Sequence, residues 1–121
     1  MTYTLTGEPK STNHLYRASC RGGFPSTYMT PEGKILKQAY HIEAKARANV
    51  EGYKPLKGEL DVSIRFYFCT QRKRDLDNMN KIILDALSGI AWTDDSQIAR
   101  LHLYREFDRA CPRIEVTVQE R

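Results

Sequence analysis

The stretch 60-LDVSIRFYFCTQRKRDLDNMNKIILDALSGIAWTDDSQIARLHL-103 reads as strand, helix and strand in succession, and the rest of the 121-residue chain is organised around it. Leu60, Val62, Ile64, Phe66 and Phe68 alternate with more polar partners, the period of a half-buried strand. Met79, Ile83, Ala86, Leu87 and Ile90 follow at spacings of four, three, one and three, which place them on one helix face, with Gly89 near the helix end. After a turn from Ala91 to Gln97, Ala99, Leu101 and Leu103 alternate with Arg100 and His102 as a further strand.

Working outward, Ile114, Val116 and Val118 predict a last strand, and Tyr3 and Leu5 a short first one that Gly7 and Pro9 end. Residues 7–29 show no sustained period and are expected to form a long loop, in which Lys10, Arg17 and Arg21 are interleaved with Tyr16, Phe24 and Tyr28. Thr30-Pro31-Glu32 is a helix start: a capping hydroxyl, a proline where no N–H is needed, and an acid at the positive end of the dipole. Ile35, Ala39, Ile42 and Ala46 predict the buried face of a helix running to about Asn49, with Lys34, Lys37, His41 and Lys45 on its polar side. The order β-α-β-α-β-β predicts a single α+β domain over residues 1–121, a mixed β-sheet of about four strands covered by two main helices.

Composition narrows the function classes. Hydrophobic residues make up 40% and charged residues 28%, which suits a globular domain rather than a disordered chain. No apolar run approaches the roughly 20 residues of a membrane span, and the first residues, MTYTLTGEPK, lack the basic start and apolar stretch of a signal peptide, so a cytoplasmic protein with no membrane partner is expected. Cys20, Cys69 and Cys111 form no C-x-x-C pair, which argues against a zinc ribbon or a disulfide framework. The net charge of +4 is uneven: +5 over residues 1–57, zero over 58–90 and −1 over 91–121. That excess permits contact with a polyanion without establishing it.

The chemistry concentrates in 71-QRKRDLDNMNKIILDAL-87, where Arg72, Lys73 and Arg74 abut Asp75 and Asp77. In an extended lead-in, residues two apart point the same way, so both carboxylates could converge beyond the strand end. Asp77, Lys81, Asp85 and Ser88 continue as a charged stripe opposite the apolar face of the helix. Read by itself this segment has an equally good structural explanation, with an aspartate capping the helix, Asp77 and Lys81 as an i,i+4 pair and the three cations as a solvated turn. Asp94 and Asp95 favour chemistry. If the connection folds back, three or four carboxylates meet beside a cluster of cations, and such a group repels itself unless it holds a metal ion.

Hard carboxylate oxygens suit Mg2+ or Mn2+, which accept phosphate oxygens as further ligands. That is the composition of a phosphodiesterase site, with Asp75, Asp77 and Asp95 as ligands, Lys81 facing the phosphate, and Arg72, Lys73 and Arg74 on the flanking backbone. Other templates are missing: there is no G-x-S-x-G, P-loop or G-x-G-x-x-G, and His14, His41 and His102 are scattered.

The run R-x-R-D-L-D-N-x-x-K from Arg72 to Lys81, followed by W-x-D-D from Trp92 to Asp95, resembles the RusA family of Holliday junction resolvases. The likeness extends in order and spacing over most of the chain. It implies a homodimeric, Mg2+-dependent endodeoxyribonuclease of recombination and repair, bacterial or phage-encoded, that resolves four-way DNA junctions by paired symmetric nicks. By position, Asp75, Asp77 and Asp95 match the family's essential acids, Lys81 its catalytic lysine and Arg74 a DNA-contacting arginine, while Asp94 joins the acidic, metal-binding group. The family stretch P-x-S-x-N-x-x-Y-R is matched by Pro9, Ser11, Asn13, Tyr16 and Arg17, with Lys10 in place of a second proline. Lys10, Asn13 and Arg17 are thereby candidate DNA contacts. Two other readings stay open: a non-catalytic nucleic-acid-binding module, such as a decayed resolvase, and a flap or branch nuclease with the same metal site.

Overall fold

In the computed structural model, which describes residues 1–11, 15–21 and 23–121, a four-stranded sheet carries both helices on one face. The elements are β1 (Thr2–Thr6), β2 (Tyr16–Arg21), β3 (Phe24–Met29), α1 (Pro31–Glu51), β4 (Leu60–Phe68), α2 (Lys81–Leu87), β5 (Ile98–Phe107) and β6 (Arg113–Glu120). The sheet order is β1-β6-β4-β5. β4 runs parallel to β5 and antiparallel to β6, and β6 is antiparallel to β1, so the sheet is mixed, as expected for an α+β domain.

Alternation along β4 decides its two faces. Leu60, Val62, Ile64, Phe66 and Phe68 are fully buried and meet Tyr3, Leu5, Ile114, Val116 and Val118 from the neighbouring strands beneath the helices. The other face is polar and open, laced by Arg65–Glu106 at 3.0 Å and Arg113–Glu115 at 2.9 Å.

Three expectations are corrected. Tyr16–Arg21 and Phe24–Met29 pair as an antiparallel hairpin, β2–β3, with Tyr16 opposite Met29, where a loop is expected from the sequence; YRASCR and FPSTYM lack the apolar alternation that marks a half-buried strand. Next, α1 turns a different face to the core. Gly33, Tyr40, Ala44 and Ala48 are buried, whereas Ile35 and Ile42 are 73% and 57% exposed and Ala39 and Ala46 are exposed too. Small residues let the helix approach closely: a β-carbon on Gly33 would lie 2.4 Å from the Leu15 carbonyl oxygen and 2.7 Å from Met29 Cγ. His41, assigned to the polar side, is half-buried with Nδ1 3.2 Å from the Ala86 carbonyl of α2. Finally, α2 is shorter than the span from Met79 to Ile90. It is preceded by a single 3-10 turn at Leu76–Asn78 and ended at Gly89, whose φ of +88° suits a residue without a side chain, yet the apolar face is buried as read.

Candidate functional site

β4 and β5 run in parallel, so the chain leaving Phe68 must return along the sheet before β5 can begin. That return path, residues 69–97, carries the candidate site. Asp75 is extended, whereas Asp77 lies inside the 3-10 turn Leu76–Asn78, which packs against β5. The two carboxylates are therefore not aligned by strand alternation, because a 3-10 turn advances each side chain by about a third of a revolution. Both are exposed, and neither accepts a hydrogen bond or forms an ion pair among the described residues.

The turn that leads into β5 is built by capping. Asp94 accepts hydrogen bonds from the Ser96 backbone at 3.0 Å and from the Ser96 hydroxyl, and these hold its carboxyl below the usual range. Gln97 closes a capping box by accepting from the Asp94 backbone at 2.8 Å, and its amide donates to the Leu56 and Gly58 carbonyls, both at 2.9 Å. Trp92, wholly buried, donates its indole N–H to Asp95 Oδ1 at 2.6 Å. The W-x-D-D run thus has a local logic: the tryptophan aims Asp95 and the first aspartate closes the turn.

Lys81 opens α2 and is half-exposed. Its ammonium lies 4.0 Å from Asp85 and 4.9 Å from the centre of the Tyr16 ring, and the Tyr16 hydroxyl donates to Asp85 at 2.5 Å. Partial burial, together with that bond, raises the Tyr16 pKa. The hairpin is thereby tied to α2 at Lys81. The charged stripe contained Asp85 but gave no sign that its partner would come from β2, 69 residues away.

Among the cations, Arg74 is folded back. Its guanidinium stacks 4.2 Å over Phe68, donates to Thr70 and to the Arg72 carbonyl, and pairs with Glu8 at 3.5 Å. Glu8 also accepts from the Cys69 backbone at 3.1 Å, so it pins the loop after β1 to the end of β4; no spacing in the sequence pointed to it. Arg72, Lys73, Lys10 and Arg17 are exposed, and none forms an ion pair among the described residues. Asn13 and His14 lie outside the described residues.

Residues 72–75 form one wall of a groove of about 780 Å3, closed by α1 and by the loop from Glu8 to Ser11. The described residues include no group of three or more His, Cys, Asp or Glu gathered as a metal-binding set. The donor chemistry nevertheless fits a hard divalent cation. Asp75 and Asp77 are carboxylates without partners among the described residues, and Mg2+ is commonly held by one or two carboxylates, with water and substrate phosphate completing its shell.

A family model described as Endodeoxyribonuclease RusA matches residues 6–119. Curated relatives from Escherichia coli strain K12, Escherichia coli O6:H1 strain CFT073 and Shigella sonnei strain Ss046, each described as crossover junction endodeoxyribonuclease RusA, are 30% identical over 122 residues. The match covers 98% of this chain and 95% of each relative.

Proposed function

The chain belongs to the RusA family of endodeoxyribonucleases, and from that premise we propose that it resolves four-way DNA junctions, with paired symmetric nicks made by a homodimer in the presence of Mg2+. The observation that carries the proposal is the turn holding Asp75 and Asp77, unpaired among the described residues, beside a groove lined by Lys10, Arg72 and Lys73.

Asp75 and Asp77 would hold the cation; Asp95, held by Trp92, and Asp94, in its cap, are the further candidate ligands, although the described residues do not gather them with the first two into a set of three or more. When bound, Mg2+, or Mn2+ in its place, makes water a better nucleophile and offsets charge on the phosphate. Lys81, steadied by Asp85 and the Tyr16 ring, offers a proton donor and a positive charge to the reacting phosphate. Arg72, Lys73, Lys10, Arg17 and Asn13 contact the DNA backbone, and such contacts position the substrate without reading its sequence. Arg74 contributes to the same surface while bracing the loop through Glu8 and Phe68.

Two apolar surfaces that one copy leaves open support the homodimer. Ile42 and Val50 stand out from α1, and β5, which is an edge strand among the described residues, exposes Leu101 and Phe107. A two-fold assembly meets a junction of matching symmetry. No helix among the described residues is long and apolar enough to cross a membrane, and the protein is proposed to act on DNA in the cytoplasm.

A synthetic four-way junction, labelled in turn on each strand and offered beside a flap and a linear duplex, tests the proposal. Symmetric nicks in two opposed strands of the junction are expected; cutting of the flap in preference to the junction would assign a different substrate.

A further inference from the structure

The groove beside Asp75 joins two surfaces that rarely coincide. Its floor is apolar, with Leu15 and Met79 buried and Leu36 and Ala39 lining the α1 side, and the isoleucine at its margin, Ile35, is 73% exposed. Its rim is cationic, carrying Lys10, Arg72 and Lys73. Three acids share the lining: Glu8 is paired with Arg74, Glu32 sits in the first turn of α1, where the helix dipole offsets it, and Asp75 is the candidate metal ligand on the wall. A free anion would use the rim and leave the floor wet; an apolar peptide would use the floor and leave the cations unmatched.

We propose that this groove receives one unstacked nucleotide of the strand being cut, with its base on the apolar floor and its flanking phosphates on the rim. The proposal rests on the nuclease reading above and adds a binding subsite to it. The space of about 780 Å3 lies within the roughly 300–1,000 Å3 of pockets that enclose a small organic ligand. Asp75 lies on the groove wall, so a nucleotide seated there stands next to a phosphate within reach of the acidic turn. Bases drawn out of a helix are held between aromatic or apolar side chains, and the cost of withdrawal is least where pairing is already disturbed, as at a branch point. Asn78, in the same 3-10 turn, lines the groove with a side-chain amide that has no hydrogen bond among the described residues. One donor and one acceptor group on that amide suit the edge of a base, which makes Asn78 a specificity-determining residue for the cut site.

The test places 2-aminopurine next to the mapped nick in a four-way junction and follows its fluorescence on mixing with the full-length protein in Ca2+, while a parallel sample in Mg2+ reports nicking. Binding of the unmodified protein is expected to raise the fluorescence, because stacking quenches this base. Ala39→Phe, which fills the groove from an exposed position of α1, is expected to abolish the rise and slow nicking while junction binding persists. Asn78→Ala is expected to broaden the distribution of cut sites over a set of junction sequences. Nicking in Mg2+ without any fluorescence change in Ca2+ overturns the subsite and leaves the nuclease reading intact, whereas absence of nicking by the unmodified protein refutes that reading itself. If Ala39→Phe keeps the fluorescence rise and instead converts a dimer to a monomer in sedimentation, the groove is an interface between copies and the proposal fails.

Discussion

Tyr16→Phe removes one oxygen atom and isolates the link between the hairpin and α2. The Tyr16 hydroxyl donates to Asp85 at 2.5 Å in a half-buried setting, and the ring that lies beneath Lys81 is retained in phenylalanine. Hydrogen bonds to charged groups contribute about 1.5–3 kcal/mol, but the Asp85 side chain keeps 28% of its surface exposed and can recover part of its solvation from water, so about 1–2 kcal/mol should be lost. At roughly 2.1 cal/mol/K per residue the chain of 121 residues unfolds with an entropy of about 0.25 kcal/mol/K, which converts that loss into a fall in Tm of about 4–8 °C. Thermal unfolding followed by circular dichroism at pH 7 measures it, with Tyr28→Phe as the control because Tyr28 is 50% exposed. Junction nicking in the same preparations should slow, since Asp85, once released from the phenol, competes more strongly for the Lys81 ammonium. A Tm for Tyr16→Phe equal to that of the control would refute the link and the account of how Lys81 is steadied.

Lys81→Ala should lower turnover about 100-fold or more while junction binding weakens by a much smaller factor, as measured by single-turnover nicking beside an electrophoretic binding assay. Gly33→Ala would gain helix propensity on an open helix, but its β-carbon meets the Leu15 carbonyl oxygen at 2.4 Å, so chemical denaturation should show a net loss of about 1–3 kcal/mol. Burial, reinforced by Glu43, pushes the Tyr40 pKa from the ordinary 10 up to about 12. A raised folded-state pKa gives stability that is complete below pH 10 and drains away between 10 and 12, by about 3 kcal/mol; Tyr40→Phe should remove one proton's worth of that alkaline slope in urea titrations at successive pH values.

The parts of the fold that could be read in advance are those with one unambiguous period. β4 buries every second residue from Leu60 to Phe68, and no other assignment of that pattern was available. On α1 the apolar spacing points to Ile35, Ala39, Ile42 and Ala46, whereas close packing in the structure favours Gly33, Ala44 and Ala48, with Tyr40 filling the remaining volume. The hairpin is not legible in the sequence because YRASCR and FPSTYM carry no apolar alternation, and its two strands pair with each other. At the site, the residue types in the motif were visible, but the groups that orient them were not. Trp92 aims Asp95 across three residues, while Glu8 reaches Arg74 across 66 and Tyr16 reaches Asp85 across 69, distances over which spacing has no meaning.

The central claim is that the exposed Asp75–Asp77 turn performs metal-dependent phosphodiester cleavage. Asp77 has no hydrogen bond or ion pair among the described residues, so Asp77→Asn should fold with an unchanged Tm, which makes it a clean probe of chemistry. Nicking of a four-way junction by this variant in Mg2+, measured beside its junction binding, tests the claim most directly. The account predicts that binding is retained and nicking is lost; nicking at the rate of the unmodified protein would contradict it.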